Sequence, residues 1–393
     1  MTPTRFFWID PNKFDCCQHR IVSIAMMENL RGMGLPITYV TACLRDPVPY
    51  PGFHYIEPRT RVRGLYRIAF LAACLIYLSA RLRRGTRVVL IVFPQAFYVA
   101  LLAQMIGRLK GCRVDVHLDF RTVPVVNSRS LLRAWPKYAA EYLFFWRAPI
   151  LLARLLATTL SFITRRMHDR VGIASKPHCI WTSGVGDDRI ASSPPQPPAL
   201  PGAPFELLYL GSMSLHRGVE EIVRAVAGAR DRLGPFILRI LGGGPGADTV
   251  SRLIRDLRTE DAVRMEGSVP PDCVPAYLAK AHAFVSPLPD HAWWRVSSPI
   301  KIFEYLATGK PLILTDTAPH RDVVPRDVPG VVWLPDLRPE SVVAGLRDLI
   351  DNYDRHLAGY PTRLGIARKH AWSVQAERLG TFLMDQYCRG RST

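Results

Sequence analysis

Between residues 205 and 315 the sequence switches repeatedly between two spacings. Short apolar runs at 205–210, 236–241, 263–265, 283–286 and 312–315 alternate with stretches of helical periodicity at 219–232, 249–257 and 300–307. Strands separated by helices of this length imply parallel βαβ units. Residues 1–190 show the same alternation less regularly. Strand-like runs fall at 6–9, 37–41, 88–93 and 113–116, and helical ones at 21–33, 65–82, 96–109 and 131–156. The segment 363–389 reads as a terminal helix.

Length and punctuation divide the chain. Its 393 residues suffice for two cores. Residues 191–204 hold six prolines in 14 positions, a composition that continues neither a helix nor a central strand. The expected architecture is therefore α/β, with two Rossmann-like domains facing each other across a cleft. The expected boundaries are 1–190, a linker at 191–204, 205–362, and a helix over 363–393 that returns to the first domain.

Charge separates the two halves. Residues 1–196 carry 27 Lys and Arg against 11 Asp and Glu, a net +16, whereas residues 197–393 are nearly neutral at +2. The first half is suited to an anionic surface, either nucleic acid or lipid. Base-stacking platforms and known nucleic-acid motifs are absent from the sequence, so a nucleic-acid partner is not expected. The apolar run 68–80 is too short to span a bilayer, which takes about 20 residues. It is flanked by Arg59, Arg61, Arg63 and Arg67 on one side and Arg81, Arg83, Arg84 and Arg87 on the other. That pattern suits a helix lying in the interface plane, and the aromatic stretch 142–152 is a second candidate. The eight cysteines show no metal-ligand spacing, and no secretory signal is visible. The expectation is a cytoplasmic protein, peripheral at the inner face of the membrane, with reduced thiols.

Two segments carry the chemistry. After the run at 205–210 comes Gly211-Ser-Met-Ser-Leu-His-Arg-Gly218, then a helix whose N-terminus offers unpaired N–H groups to a phosphate. Arg217 adds a charged, planar donor fork. The bland alternative is a βα loop with a solvated arginine. Further on lies Ser298-Pro-Ile-Lys-Ile-Phe-Glu-Tyr-Leu-Ala-Thr-Gly-Lys-Pro311, in which Ser298 reads as an N-cap and Pro299 as a first-turn residue. Lys301 and Glu304 share a helix face, as a phosphate and ribose pair or simply as a surface ion pair.

With Leu241-Gly-Gly-Gly-Pro245, Glu266-Gly-Ser-Val269 and Ala283-Phe-Val-Ser-Pro287, these segments resemble the donor domain of family 4 retaining glycosyltransferases of the GT-B fold. The resemblance covers about 120 residues. It implies transfer of a sugar from a nucleotide-diphosphate donor to an acceptor hydroxyl, with retention and without a metal or other cofactor. The implied donor-binding set is Gly211, Ser212, Arg217, Gly243, Gly267, Ser268, Val269, Ser298, Lys301, Ile302 and Glu304. Glu304 would hold the ribose, Arg217 and Lys301 the diphosphate, and the loop at 267–269 the base. In the first half, Asp115-Val-His-Leu-Asp-Phe-Arg121 resembles the segment that points at the transferred sugar. It adds His117 and Asp119 as catalytic residues and Arg121 as an acceptor-side residue. Asn12 and Lys13 join the acceptor side, because Asp10-Pro-Asn-Lys-Phe-Asp15 replaces the family's N-terminal Gly-rich loop. Ser212 stands where the family often has arginine. Val296 stands where many members have glutamate, with Asp290 as a substitute. A lipid-linked or polysaccharide-precursor acceptor agrees with the basic first half. The alternatives are a nucleotide-sugar epimerase of the same fold, a basic protein binding nucleic acid or another anionic surface, and a catalytically silent scaffold.

Overall fold

A computed structural model describes residues 4–13, 17–42, 49–57, 66–125, 130–192, 195, 203–214 and 216–388. The chain forms two compact units. One comprises residues 1–124, 135–182 and 372–393, and the other residues 125–134 and 183–371.

The first unit is a seven-stranded parallel sheet. Its elements in chain order are β1 (Thr4–Lys13), α1 (Cys17–Gly32), β2 (Ile37–Ala42), β3 (Phe53–Ile56), α2 (Tyr66–Ser79), β4 (Arg87–Val92), α3 (Phe97–Leu109), β5 (Arg113–Phe120), α4 (Leu131–Tyr142), α5 (Ala148–Leu156), β6 (Thr159–Phe162), α6 (Arg165–Val171) and β7 (His178–Ile180). The strand order is 3-2-1-4-5-6-7. β1 runs on past Asp10 because its pairing with β2 shifts register between Asp10 and Lys13. Pro11 has no N–H to donate and is accommodated at that irregularity. The helix expected at 131–156 is continuous, with a wider π-helical turn at 143–147 joining α4 to α5, Pro136 inside α4 and Pro149 at the start of α5. The cations Arg59, Arg61 and Arg63 lie outside the described residues, as does most of the Pro-rich segment.

The second unit holds β8 (Phe205–Leu210), α7 (Val219–Ala229), β9 (Phe236–Leu241), α8 (Ala247–Asp256), β10 (Val263–Gly267), α9 (Val274–Lys280), β11 (Ala283–Ser286), α10 (Ile300–Ala307), β12 (Leu312–Thr315), α11 (Ala318–Arg321), β13 (Val331–Leu334), α12 (Pro339–Asp351), α13 (Tyr353–Ala358) and α14 (Tyr360–Lys369). Its six parallel strands run in the order 10-9-8-11-12-13. Apolar layers cover both faces, one built around Val223, Val226 and Leu346, the other around Phe284, Phe303 and Leu306. Burial on both faces explains the apolar character of β11, β12 and β13, while the charged Glu206, Arg239 and Glu266 of β8, β9 and β10 pair with one another.

Both ends of the second unit differ from the proline-based expectation. The division falls between Thr182 and Ser183, not at 190/191. Ser183 donates its N–H to Ser298 Oγ at 3.1 Å and its hydroxyl to the Ser298 carbonyl at 2.9 Å, which ties it into the second unit. The terminal helix is also two helices. Arg363, at its expected start, is fully buried inside the second unit. It donates to the carbonyls of Gly309 at 2.7 and 3.0 Å, of Leu357 at 3.0 Å, and of Pro329. Only the last helix, α15 (Trp372–Tyr387), belongs to the first unit, where Trp372, Leu379 and Leu383 pack with Met27 and Leu30 of α1.

Candidate functional site

In the second unit the strand order reverses at β8, whose neighbours are β9 and β11. Open parallel sheets bind ligands outside the carboxyl ends of their strands at such a point. Three glycine-bearing loops meet there. Gly211 donates its N–H to the Leu241 carbonyl (2.9 Å), Gly242 to that of Gly267 (2.8 Å), Met213 to that of Gly243 (2.8 Å), and Gly246 to that of Met213 (2.6 Å). This approach is possible only without side chains. Gly242 sits at φ 137°, and a Cβ there would lie 1.9 Å from the Gly211 carbonyl oxygen. The glycines are a packing requirement, more than the bare turn that their sequence suggests.

The loop after β8 ends at Gly218, where a Cβ would overlap the Pro287 carbonyl at 1.8 Å. His216 adopts φ 63°, a left-handed backbone rare for a side chain of its size, and its carbonyl accepts from Trp294 Nε1 at 2.7 Å. Arg217 is thereby placed over the Trp294 ring, 4.4 Å from its centroid, and donates Nε to Ser214 Oγ at 3.3 Å. Burial holds the Arg217 pKa below its ordinary value, partly offset by the Tyr209 hydroxyl nearby. A half-buried guanidinium on an aromatic face, at the end of a central strand, is a prepared anion contact.

α10 follows the loop after β11. Tyr305 fixes it to the end of β8: its hydroxyl accepts from the Leu210 N–H at 2.7 Å. Lys301 Nζ donates to Glu304 Oε2 at 2.8 Å, so the two do share a face. Their side chains are 26% and 11% exposed, which makes the pair a partly buried one. Ser298 is not the helix cap. Pro299 occupies that position without a side-chain bond, and the Ser298 hydroxyl is spent on Ser183. Lys310, at the end of the same motif, is buried and donates to the carbonyls of Leu278 (3.1 Å), Ala279 (2.5 Å) and Ala281 (2.6 Å), closing α9. Desolvation pulls its pKa to about 8.

The helix that follows Arg217 differs from the phosphate-binding expectation. The first turn of α7 already carries Glu220 and Glu221, which meet its positive end, whereas the first turn of α10 has no acidic residue. Val296 is buried, and Asp290 is exposed and held by Arg295 at 2.7 and 2.8 Å.

The first-unit candidates are brought together, but below the surface. β5 extends to Phe120, so His117 and Asp119 sit on one face opposite Thr159 and Ser161 of β6. His117 Nδ1 bonds Thr159 Oγ1 (2.7 Å) and Nε2 bonds Ser161 Oγ (2.8 Å), while Ser161 donates to Asp119 Oδ1 at 2.6 Å. Thr159 in turn meets the Tyr387 hydroxyl of α15. Both His117 and Asp119 are 0% exposed. The resemblance makes them catalytic residues pointing at the transferred sugar; the structure instead encloses them in a buried polar chain that pins α15 to the sheet. Burial lowers the His117 pKa to about 3 and raises that of Asp119 to about 6, the latter against the pull of Arg121, Ser161 and Trp181. Arg121 is likewise a strut. Its guanidinium lies 3.4 Å from the Trp181 ring centroid and donates to the carbonyls of Trp181 (2.6 Å) and Thr182 (3.4 Å). The Asn12 amide and N–H both donate to Asp10 Oδ1, at 2.8 and 2.9 Å. The Lys13 side chain lies outside the described residues.

Sequence reasoning missed Trp294, His216 and Tyr305 as supports of the site. The adjacent tryptophans at 293–294, beside a conspicuously polar loop, were the available signal for the first.

Together the two units define a double Rossmann-like, parallel-sheet α/β protein of the GT-B type. The comparisons agree. Residues 194–363 match the family described as Glycosyl transferases group 1. A putative colanic acid biosynthesis glycosyltransferase, WcaL, of Escherichia coli K12 is 29% identical over 156 residues, 39% of this chain and 38% of that protein. A GDP-mannose-dependent alpha-(1-6)-phosphatidylinositol monomannoside mannosyltransferase of Mycobacterium tuberculosis is 27% identical over 180 residues, 45% of this chain and 46% of its own. The matched stretches thus span less than half of each relative. Among solved structures, Anabaena Alr3699/HepE with UDP and glucose has a TM-score of 0.69 at 13% identity, covering 97% of this chain and 99% of that one. Sucrose-phosphate synthase of Thermosynechococcus elongatus reaches 0.72 at 13% identity, covering 98% and 100%. At such identities the likeness is one of fold.

Proposed function

We propose that this protein is a glycosyltransferase that moves a sugar, with retention, from a nucleotide-diphosphate donor to an acceptor hydroxyl on a lipid-linked or polysaccharide-precursor glycan. The observation that carries the reading is the carboxyl edge of the second-unit sheet. There, three glycine loops, Arg217 on Trp294, and the Lys301–Glu304 pair on α10 stand at the ends of neighbouring strands. The matched family region contains all of them.

In this reading the donor diphosphate lies against Arg217, Lys301 and the unpaired N–H groups that open α10. These donors stabilise the charge that accumulates as the sugar–phosphate bond breaks. Glu304 accepts the ribose hydroxyls and keeps Lys301 oriented. The backbone of Gly267, Ser268 and Val269 meets the base, and Gly243 lets Ser268 approach. The acceptor hydroxyl attacks on the face the diphosphate leaves and gives its proton to the departing phosphate oxygen, so no strong protein nucleophile is required. The cations supply the neutralisation that a metal gives elsewhere. His117, Asp119 and Arg121 shape the first unit without touching the reacting atoms.

Incubation with a panel of nucleotide sugars and a membrane extract, with products read by mass spectrometry, tests the reaction. Glu304→Gln and Lys301→Ala should each lower kcat/KM by about 2–4 kcal/mol in transition-state terms, the usual cost of removing a desolvated contact to a developing charge. Wild-type turnover in both variants removes the site assignment. A product formed with no acceptor attached, an isomerised nucleotide sugar, favours the epimerase.

A further inference from the structure

The first unit carries most of the exposed large apolar side chains of the described residues. Of the thirteen exposed large apolar side chains among the described residues, ten lie between residues 68 and 155 of this unit. Large contiguous apolar patches on a protein surface mark contact sites. These side chains are not scattered. Leu102, Met105 and Leu109 follow helical spacing on α3 and are 47%, 60% and 89% exposed. Leu151 and Leu155 on α5 are 56% and 79% exposed, and Ile76 on α2 is 72% exposed. Each helix buries a different apolar face in the unit, through Phe97, Ala100 and Ala103 of α3, Ile150 and Ala153 of α5, and Phe70, Cys74 and Leu78 of α2. The outward residues are therefore a second apolar face that stays exposed among the described residues.

The three helices are neighbours. α3 packs against both α2 and α5. Lys110 at the end of α3 donates to the Ser79 carbonyl of α2 at 2.6 Å, and Gln104 of α3 donates to the Leu156 carbonyl of α5 at 3.4 Å. None of the three contains an acidic residue, and no Asp or Glu occurs from residue 58 to 114. Exposed cations stand beside the exposed apolar residues, Arg108 next to Leu109 and Arg154 next to Leu155, with Arg83 beyond the end of α2.

We propose that the α2–α3–α5 face is a docking surface for an anionic lipid leaflet. It deepens the proposed lipid-linked acceptor and names the surface that meets the bilayer. The apolar side chains enter the headgroup boundary, and the cations bind the anionic headgroups around them. A second copy of the chain fits less well. In a two-fold interface the same patch meets itself, which sets cation against cation with no acid to pair them. The sequence expects interfacial stretches at 68–80 and 142–152; the exposed Ile68 and Ile76 lie in the first and Leu151 in the second, and the structure adds Leu102, Met105 and Leu109 of α3, which neither stretch contains.

Co-sedimentation with phosphatidylcholine vesicles, with and without phosphatidylglycerol, tests this with neither donor nor acceptor present. The protein should bind the anionic vesicles at low salt and be released at high salt. Arg83→Ser with Arg108→Ser and Arg154→Ser should weaken partitioning about a hundredfold. Met105→Gln with Leu109→Gln and Leu155→Gln should weaken it comparably, while nucleoside diphosphate binding stays at the wild-type level in both variants. Absence of binding to anionic vesicles at low salt overturns the proposal. So does equal binding by the triple variants, or a lipid-free dimer that the glutamine variants dissociate. Vesicle binding without sugar transfer leaves this surface standing and removes the proposed reaction instead.

Discussion

At the scale of single residues, environment decides role more than residue type does. The resemblance of the 115–121 segment to one that points at a transferred sugar implies a catalytic role for His117. In the fold both ring nitrogens are bonded and the ring is fully enclosed. A neutral buried imidazole makes stability depend on acid. The folded pKa, about 3, lies below the ordinary 6.5, so the unfolded chain binds the proton first. The contribution is present above pH 6.5 and is lost as pH falls toward 3. His320 of the second unit, lowered to about 4 by burial, acts with the same sign. Between pH 7 and pH 5, His117 alone should cost about 2 kcal/mol. His117→Gln should therefore show a smaller drop in urea midpoint over that interval than wild type, despite a lower midpoint at pH 7. An equal drop in the two proteins contradicts the buried neutral imidazole. Asp119 runs oppositely, since its raised pKa means that protonation below about 6 favours the folded form.

At the scale of elements, the donor-side loops are built by backbone meeting backbone. Gly242→Ala places a methyl group against the Gly211 carbonyl and at a φ that alanine avoids. The loops after β8 and β9 must then separate. We expect a loss of about 1–3 kcal/mol in stability and a marked loss of nucleoside diphosphate affinity, measured by thermal unfolding and calorimetry. Gly228→Ala is the control, because nothing lies within 4 Å of its Cβ. If the two variants match in affinity, the close approach of the loops does not matter for binding. The regular strands and helices of this unit were readable in advance, with β8, β9, β11, α10 and β12 falling on the residues their spacing indicates. The loops were not. Gly242 reads as any turn glycine until the neighbouring strand's loop is known to lie against it.

At the scale of the whole molecule, the last helix belongs to the first unit although it follows the second in sequence. α15 supplies Trp372, Ala376, Leu379, Leu383 and Tyr387 to the core that contains Trp8, Met27 and Leu30. Gln375 accepts the Thr182 N–H at 2.8 Å, and Arg87 donates to the Tyr387 carbonyl at 2.8 Å. A chain ending at Ala371 should lose cooperative folding of the first unit while the second keeps its transition and its nucleotide affinity. Urea unfolding followed by limited proteolysis checks this. A full-length-like transition for the first unit in the truncated chain shows that α15 is dispensable.

The sequence by itself determined the parallel α/β class, the two-core organisation and the position of the Lys301–Glu304 helix. These follow from periodicity and from i, i+3 spacing, which are local properties of the chain. Tertiary structure alone decided that His117 and Asp119 are enclosed, that Ser298 serves Ser183 instead of capping α10, and that Arg217 rests on Trp294. It also set the unit boundary at Thr182–Ser183 and closed the second unit around Arg363. Each of these depends on partners far away in sequence. Burial and hydrogen bonding across strands are properties of the assembled sheet, and no window of neighbouring residues contains them.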